Sequence, residues 1–257
     1  MLATAHAQAH STGESGFTLM EVLVSMSTAL IITLAAFGLL QVVTNQSSRA
    51  TDYVQASERG GTAMTHIIDE LHSACFVPKI TPILASSPTT LVFETAYSSE
   101  SEPTASQVQR HEIVWEAETK RTGQLTEMGK LVDYTYVGKG SYPSYTFSEK
   151  PSWTKKTLLG DHIAKNVEGS ESGIFKYYKY SAEAQQSSAT ALGSFTQLPA
   201  TISATEAEQV ASVVVAFRQF PSDGSELPGR SVVMKSQDTL AFGAPIAEPK
   251  IVDAPCE

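Results

Sequence analysis

The chain has 257 residues, 42% of them hydrophobic, which allows one membrane helix and one globular domain of ordinary size. Its formal net charge is −9, and the basic pairs Lys120-Arg121 and Lys155-Lys156 are too short to form a basic stripe, so direct nucleic-acid binding is not expected. No GxSxG, HExxH, P-loop or dinucleotide fingerprint occurs, so neither an enzyme nor a cofactor is expected.

In chain order, residues 1–16 are polar to neutral and carry no Lys or Arg, with Glu14 as their charged side chain. An apolar run follows, from Phe17 to Val43, and Glu21 is its one ionisable residue. A helix needs about 20 predominantly apolar residues to span a bilayer. The run is therefore predicted to span a membrane, although a carboxylate near its start costs roughly 2.5–3.5 kcal/mol or more. A secretory signal reads basic, then apolar for about 7–15 residues, then small residues at the cut. Here the small-residue triplets Ala5-His6-Ala7 and Ala7-Gln8-Ala9 precede the apolar run, which is longer than a signal core.

Gly16-Phe17-Thr18-Leu19-Met20-Glu21 resembles the processing motif of the type IV pilin-like family. That resemblance implies removal of residues 1–16 by a membrane-embedded prepilin peptidase cutting between Gly16 and Phe17. N-methylation of the new Phe17 amine is implied as well. It gives Thr18, Leu19 and Glu21 a part in assembly, with Glu21 compensating the amine and setting axial register between subunits. The implied partners are the peptidase, other pilin or pseudopilin subunits and the inner or cytoplasmic membrane. The leader would be cytoplasmic and the globular part extracytoplasmic, in a periplasmic or cell-surface filament after assembly.

From Gln41 polarity rises while Tyr53, Ala56, Gly60, Met64, Ile67, Leu71 and Ala74 recur at spacings of three and four, one face of an amphipathic helix. A single helix is predicted from Phe17 to about Ala74, ending before Pro78, whose ring cannot continue the hydrogen-bond ladder. Gly38 and the tandem Gly60-Gly61 interrupt it. Each marks either a bend or a close backbone approach; family members commonly have a helix breaker near the position of Gly38. His66, Asp69, Glu70 and His72 cluster on this helix. His66 and Glu70 share a face, but His72 lies well round it, so a solvated face is expected in preference to a metal site.

Beyond Pro78, strands are predicted over 89–96, 111–117, 173–180, 209–220 and 231–235, which are β-branched or aromatic. Gly123 and Gly129 bracket a hairpin after Trp115. Tyr177, Tyr178 and Tyr180 are read as core and cross-strand residues. Ser98–Val108 and Ser181–Thr205 read as loops, and Ser203-Ala204-Thr205-Glu206 has capping-box spacing before a short helical turn. The tail from about Ala241, with Pro245, Pro249 and Pro255, is expected to lie extended.

The expected class is α+β, a long N-terminal helix packed on an antiparallel sheet. The boundaries are 1–16 leader, 17–43 membrane half, 44–77 amphipathic half and 78–257 globular β-rich domain. Cys75 and Cys256 are the two cysteines. An even count outside the cytoplasm reads as a disulfide, which would close a large loop and contribute roughly 4–5 kcal/mol. The layout is similar to minor pilins and to the J-type minor pseudopilins of type II secretion. A non-polymerising, single-pass membrane-anchored binding or adhesion protein is the alternative; it requires an uncut N-terminus and indifference to loss of Glu21.

Overall fold

The structure is a computed structural model. It describes residues 17–74, 81–99, 102–120, 122–141, 144–147, 155–165, 173–181 and 195–239. Two units divide the chain, Met1–Ser48 and Arg49–Glu257. The first contributes the start of helix α1, which as a whole covers Leu19–His72. It is long and apolar enough to cross a membrane. The described large apolar side chains of the first unit are exposed, among them Phe17, Leu19, Leu30, Phe37 and Val43. The helix starts two residues later and stops two residues earlier than predicted, the usual scatter of frayed ends.

In the second unit the strands are β1 (Thr90–Ser99), β2 (Glu102–Ala117), β3 (Gly129–Val137), β4 (Lys139–Ser141), β5 (Ser144–Thr146), β6 (Lys155–Ala164), β7 (Phe175–Tyr180), β8 (Phe195–Gln197), β9 (Ser212–Gln219) and β10 (Val232–Thr239). A short helix, α2 (Ala204–Ala207), precedes β9. Eight strands form one antiparallel sheet in the order β1-β2-β3-β6-β9-β7-β8, with β10 also on β9, while β4 and β5 pair separately. β10 pairs with β9 along its whole length. The other edge of β9 is shared: β6 meets it at Arg218 and Gln219, and β7 at Ser212 to Val215. This central position explains why six consecutive residues, Ser212 to Phe217, are all buried. The α+β class is thus observed.

The core lies between one face of the sheet and the end of α1. Ala63, Ile67 and Leu71 share a cluster with Leu91, Phe93, Ile113, Leu131, Ile163 and Phe217. Buried positions on α1 are Ala56, Gly60, Ala63, Ile67 and Leu71. Tyr53, assigned to the same stripe from sequence, is exposed. Val132, Tyr134 and Tyr136 make a smaller cluster on the opposite face of β3.

Several connections differ from the expectation. Residues 98–108, predicted as a loop, belong mostly to the β1–β2 hairpin, whose register runs on through Ala96↔Val108 and Ser98↔Ser106. Backbone pairing there needs no apolar alternation. β6 and β8 were not anticipated; β8 lies inside the stretch read as loop 181–205, of which residues 182–194 are outside the described residues. The capping box at Ser203 and Glu206 is present in full. The hairpin after Trp115 forms with β3 as its second arm. Gly129 is required there, because an added Cβ would lie 2.5 Å from the Trp115 ring. Gly123 turns the loop at φ +85°. The tail from Ala241 lies outside the described residues, as do Pro78, Cys75 and Cys256.

Candidate assembly segment and the anchoring of its helix

The N-terminal motif becomes the start of α1. Thr18 sits immediately before the helix, and its hydroxyl accepts from the Glu21 N–H at 3.3 Å. Its carbonyl accepts from the N–H groups of Glu21 and Val22 at 3.0 and 3.2 Å. Thr18 is therefore the N-cap, satisfying donors that the helix leaves unpaired. Glu21 falls in the first turn, where the helix dipole favours a negative charge. Thr18-Leu19-Met20-Glu21 has the Ser/Thr-x-x-Glu spacing of a capping box, a local signal in the sequence for this helix start. The Glu21 carbonyl accepts from the Ser25 hydroxyl at 2.6 Å. Phe17, Thr18, Leu19 and Glu21 are all exposed, and Gly16 lies outside the described residues. A row of exposed apolar side chains with one carboxylate at its start cannot remain in water at low cost. Burying each Leu- or Phe-sized side chain is worth about 1.5–3 kcal/mol.

The far end of α1 is held differently. Asp52 pairs with Arg230 at 2.8 Å, and Arg59 with Asp161 at 3.0 Å. Glu70 Oε2 stands 3.6 Å from His111 Nε2, and His111 Nδ1 stands 3.0 Å from Asp133 Oδ2. His72 Nε2 lies 2.8 Å from Asp238 Oδ1. Of the residues expected on a solvated face, His72 is exposed and reaches Asp238 on the sheet, whereas Glu70 is half-buried and faces His111, because the sheet's inward face carries His111, Asp133 and Asp238 among apolar neighbours. His111 and Asp133 are both buried, and Phe93 stacks on the His111 ring with centroids 5.1 Å apart. Burial pushes the Asp238 carboxyl above its ordinary value, against the opposing pull of His72. Among the described residues no group of three or more His, Cys, Asp or Glu side chains is placed to hold a metal ion.

Tyr177 is a core residue: burial raises its hydroxyl well above the ordinary value, and it donates toward the carbonyls of Ser87 at 3.0 Å and Thr90 at 3.2 Å. Tyr180 stacks on Phe195 across β7 and β8. A shallow cleft of about 440 Å³ is lined by Glu118, Leu125, His162, Glu226 and Leu227. His162 Nδ1 is 3.2 Å from Glu118 Oε2 there, and His162 has φ +51°, an uncommon conformation for a side-chain-bearing residue.

No family model, curated protein or solved structure compared with this chain matches it.

Proposed function

We propose that this chain is a structural, non-enzymatic minor subunit of a type IV pilus or of a type II secretion-type pseudopilus. It is made with a leader of residues 1–16, cut after Gly16, N-methylated at Phe17 and assembled through its apolar helix. The supporting observation is the exposed apolar surface of residues 17–43, with Glu21 as its one carboxylate, placed in the first turn of α1. In a bilayer or a helix bundle that surface is satisfied, and the carboxylate then requires a cation. The amine created at Phe17 supplies one, and leaving either charge unpaired in apolar surroundings costs several kcal/mol.

In this reading residues 17–43 cross the membrane, residues 44–77 form an amphipathic half, and the globular domain is extracytoplasmic. Ala56, Gly60, Ala63, Ile67 and Leu71, all buried along one side of α1, support the amphipathic assignment. The proposed partners are the prepilin peptidase, neighbouring pilin-like subunits and the membrane. A Cys75–Cys256 bridge belongs to the same proposal and is tested by the mass of a non-reduced peptide digest.

The decisive experiment is mass spectrometry of the N-terminus of protein recovered with its peptidase. The expected product begins at methylated Phe17. Gly16→Ala should accumulate at full length, and Glu21→Ala should be cut yet fail to enter filaments. Recovery of a chain that retains Met1, with Glu21→Ala behaving as wild type, would sink the reading in favour of a membrane-anchored protein that does not polymerise.

A further inference from the structure

The β2–β3 connection, residues 118–128, and the β9–β10 connection, residues 220–231, meet within the unit Arg49–Glu257. Glu226 joins them, its carboxylate accepting from the N–H groups of Leu125 at 2.9 Å and Thr126 at 2.6 Å. Both connections line the shallow cleft of about 440 Å³, to which Met128 adds a buried wall. The cleft has an apolar rim. Leu125 is 86% exposed and Leu227 51% exposed. The other exposed large apolar side chains among the described residues of this unit are Tyr53, Val54, Leu158 and Val233, which stand on α1 or on strands. The two that loops carry thus border one cavity, and apolar side chains gathered in this way mark an interaction surface.

The charged part of the wall is anionic, supplied by Glu118 and Glu226. Glu118 already has the His162 imidazole at 3.2 Å. Glu226 is met by neutral N–H groups, which stabilise its charge without cancelling it. Burial raises the Glu226 carboxyl, but those donors together with Lys120 outweigh it and hold the group below its ordinary value. Lys120 is exposed, and its Nζ donates to the Leu125 carbonyl at 3.5 Å. An ammonium of the chain itself is therefore drawn to the mouth of the cleft.

We propose that this cleft docks a lysine or arginine side chain carried on an apolar-flanked segment of a partner protein. The aliphatic stem lies against Leu125 and Leu227, and the charged head meets Glu226. Lysine and arginine suit such a place because each joins an apolar stem to a cationic end. A purely apolar segment would cover Glu226 and leave its charge unpaired, at the desolvation cost of an ion. An acidic segment would face two carboxylates. The exposed Lys120 side chain is free to swing aside for the incoming cation. The site lies wholly within the unit Arg49–Glu257, so its fate is separate from that of the membrane anchor.

The test is methyl NMR of the full chain in detergent micelles, with its leucines labelled. The probes are the peptide acetyl-Leu-Arg-Leu-amide and its citrulline analogue, whose side chain has the shape of arginine and no charge. The expected result is movement of the Leu125 and Leu227 methyl signals, with a dissociation constant about tenfold lower for the arginine peptide, as one charge-assisted contact supplies. Glu226→Gln keeps an oxygen to accept from the Leu125 and Thr126 N–H groups, so the loops stay joined, and it should abolish most of that preference. Leu125→Ser should weaken both peptides and leave the preference in place. Equal constants for the two peptides, or a preference that survives Glu226→Gln, would overturn the proposal. So would peptides that shift the Leu30 signals and leave those of Leu125 and Leu227 unmoved.

Discussion

Gly60 of α1 lies against Met234 of β10 so closely that an added Cβ would sit 3.0 Å from Met234 Cγ, and 3.1 Å from Gln219 Cβ. Its neighbour Gly61 has nothing within 4 Å of the same added atom. The tandem pair therefore combines a close-approach position with an open one. Gly60→Val is expected to lower stability by about 1–3 kcal/mol through overpacking. Gly61→Ala should raise it by about 0.5–1 kcal/mol, by restricting the unfolded chain and improving helix propensity. Denaturant unfolding of both variants in the same detergent checks the pair; equal effects would refute the distinction.

The buried His111–Asp133 contact gives a second test. His111→Leu leaves the Thr135 hydroxyl as the side-chain donor to a buried carboxyl whose Oδ1 has no hydrogen-bond partner among the described residues. The expected loss is about 3–5 kcal/mol. Adding Asp133→Leu should recover most of it, since two apolar groups replace a poorly satisfied buried carboxyl. A double variant as unstable as the single one would show that the pair matters for shape and not for charge.

Glu116 offers a pH test outside the apolar segment. The Tyr134 hydroxyl donates to its carboxylate, and Lys156 and Lys130 add attraction, holding the carboxyl below its ordinary value. A group depressed in the folded state contributes stability above its unfolded pKa and loses it as pH falls through the folded one. Tyr134→Phe should move the Glu116 titration upward toward the ordinary value of 4.5. The acid limb of the stability curve should flatten correspondingly. Carbon-detected NMR titration of the Glu116 carboxyl reads the shift directly, and an unchanged titration would discount the hydroxyl.

Thr18 is expected to matter through its hydroxyl. Thr18→Ala should cost about 1 kcal/mol at the helix start, seen as roughly fivefold faster exchange of the Glu21 amide in detergent. Thr18→Ser should restore protection. Equal exchange in all three proteins would remove Thr18 from the cap.

How far the sequence could be read depended on what each residue answers to. The apolar run and Glu21 were legible because a membrane-length stretch with one acid stands out in composition alone. The strand at 212–219 was legible because its central place in the sheet demands an unbroken apolar run. The β1–β2 extension was not, since Ser98 and Ser106 pair through backbone groups that carry no side-chain signature. The partners of Glu70 and His72 were equally hidden: helix periodicity says which side a residue faces, but not that His111 and Asp238 wait there. The cap at Thr18 is legible from the Thr-x-x-Glu spacing alone.

The packing of β10 on α1 has a consequence for how the protein is made. The first described helix packs against the last described strand, so the contact joining Gly60 to Met234 spans most of the polypeptide. Pairings of such sequence separation form late, because the loop they close must be ordered first. During synthesis the small-residue side of α1 waits uncovered while the intervening strands emerge. A ribosome stalled anywhere before residue 232 would present a tethered chain with that side open, at the stage when it is most exposed to capture by a chaperone or a protease.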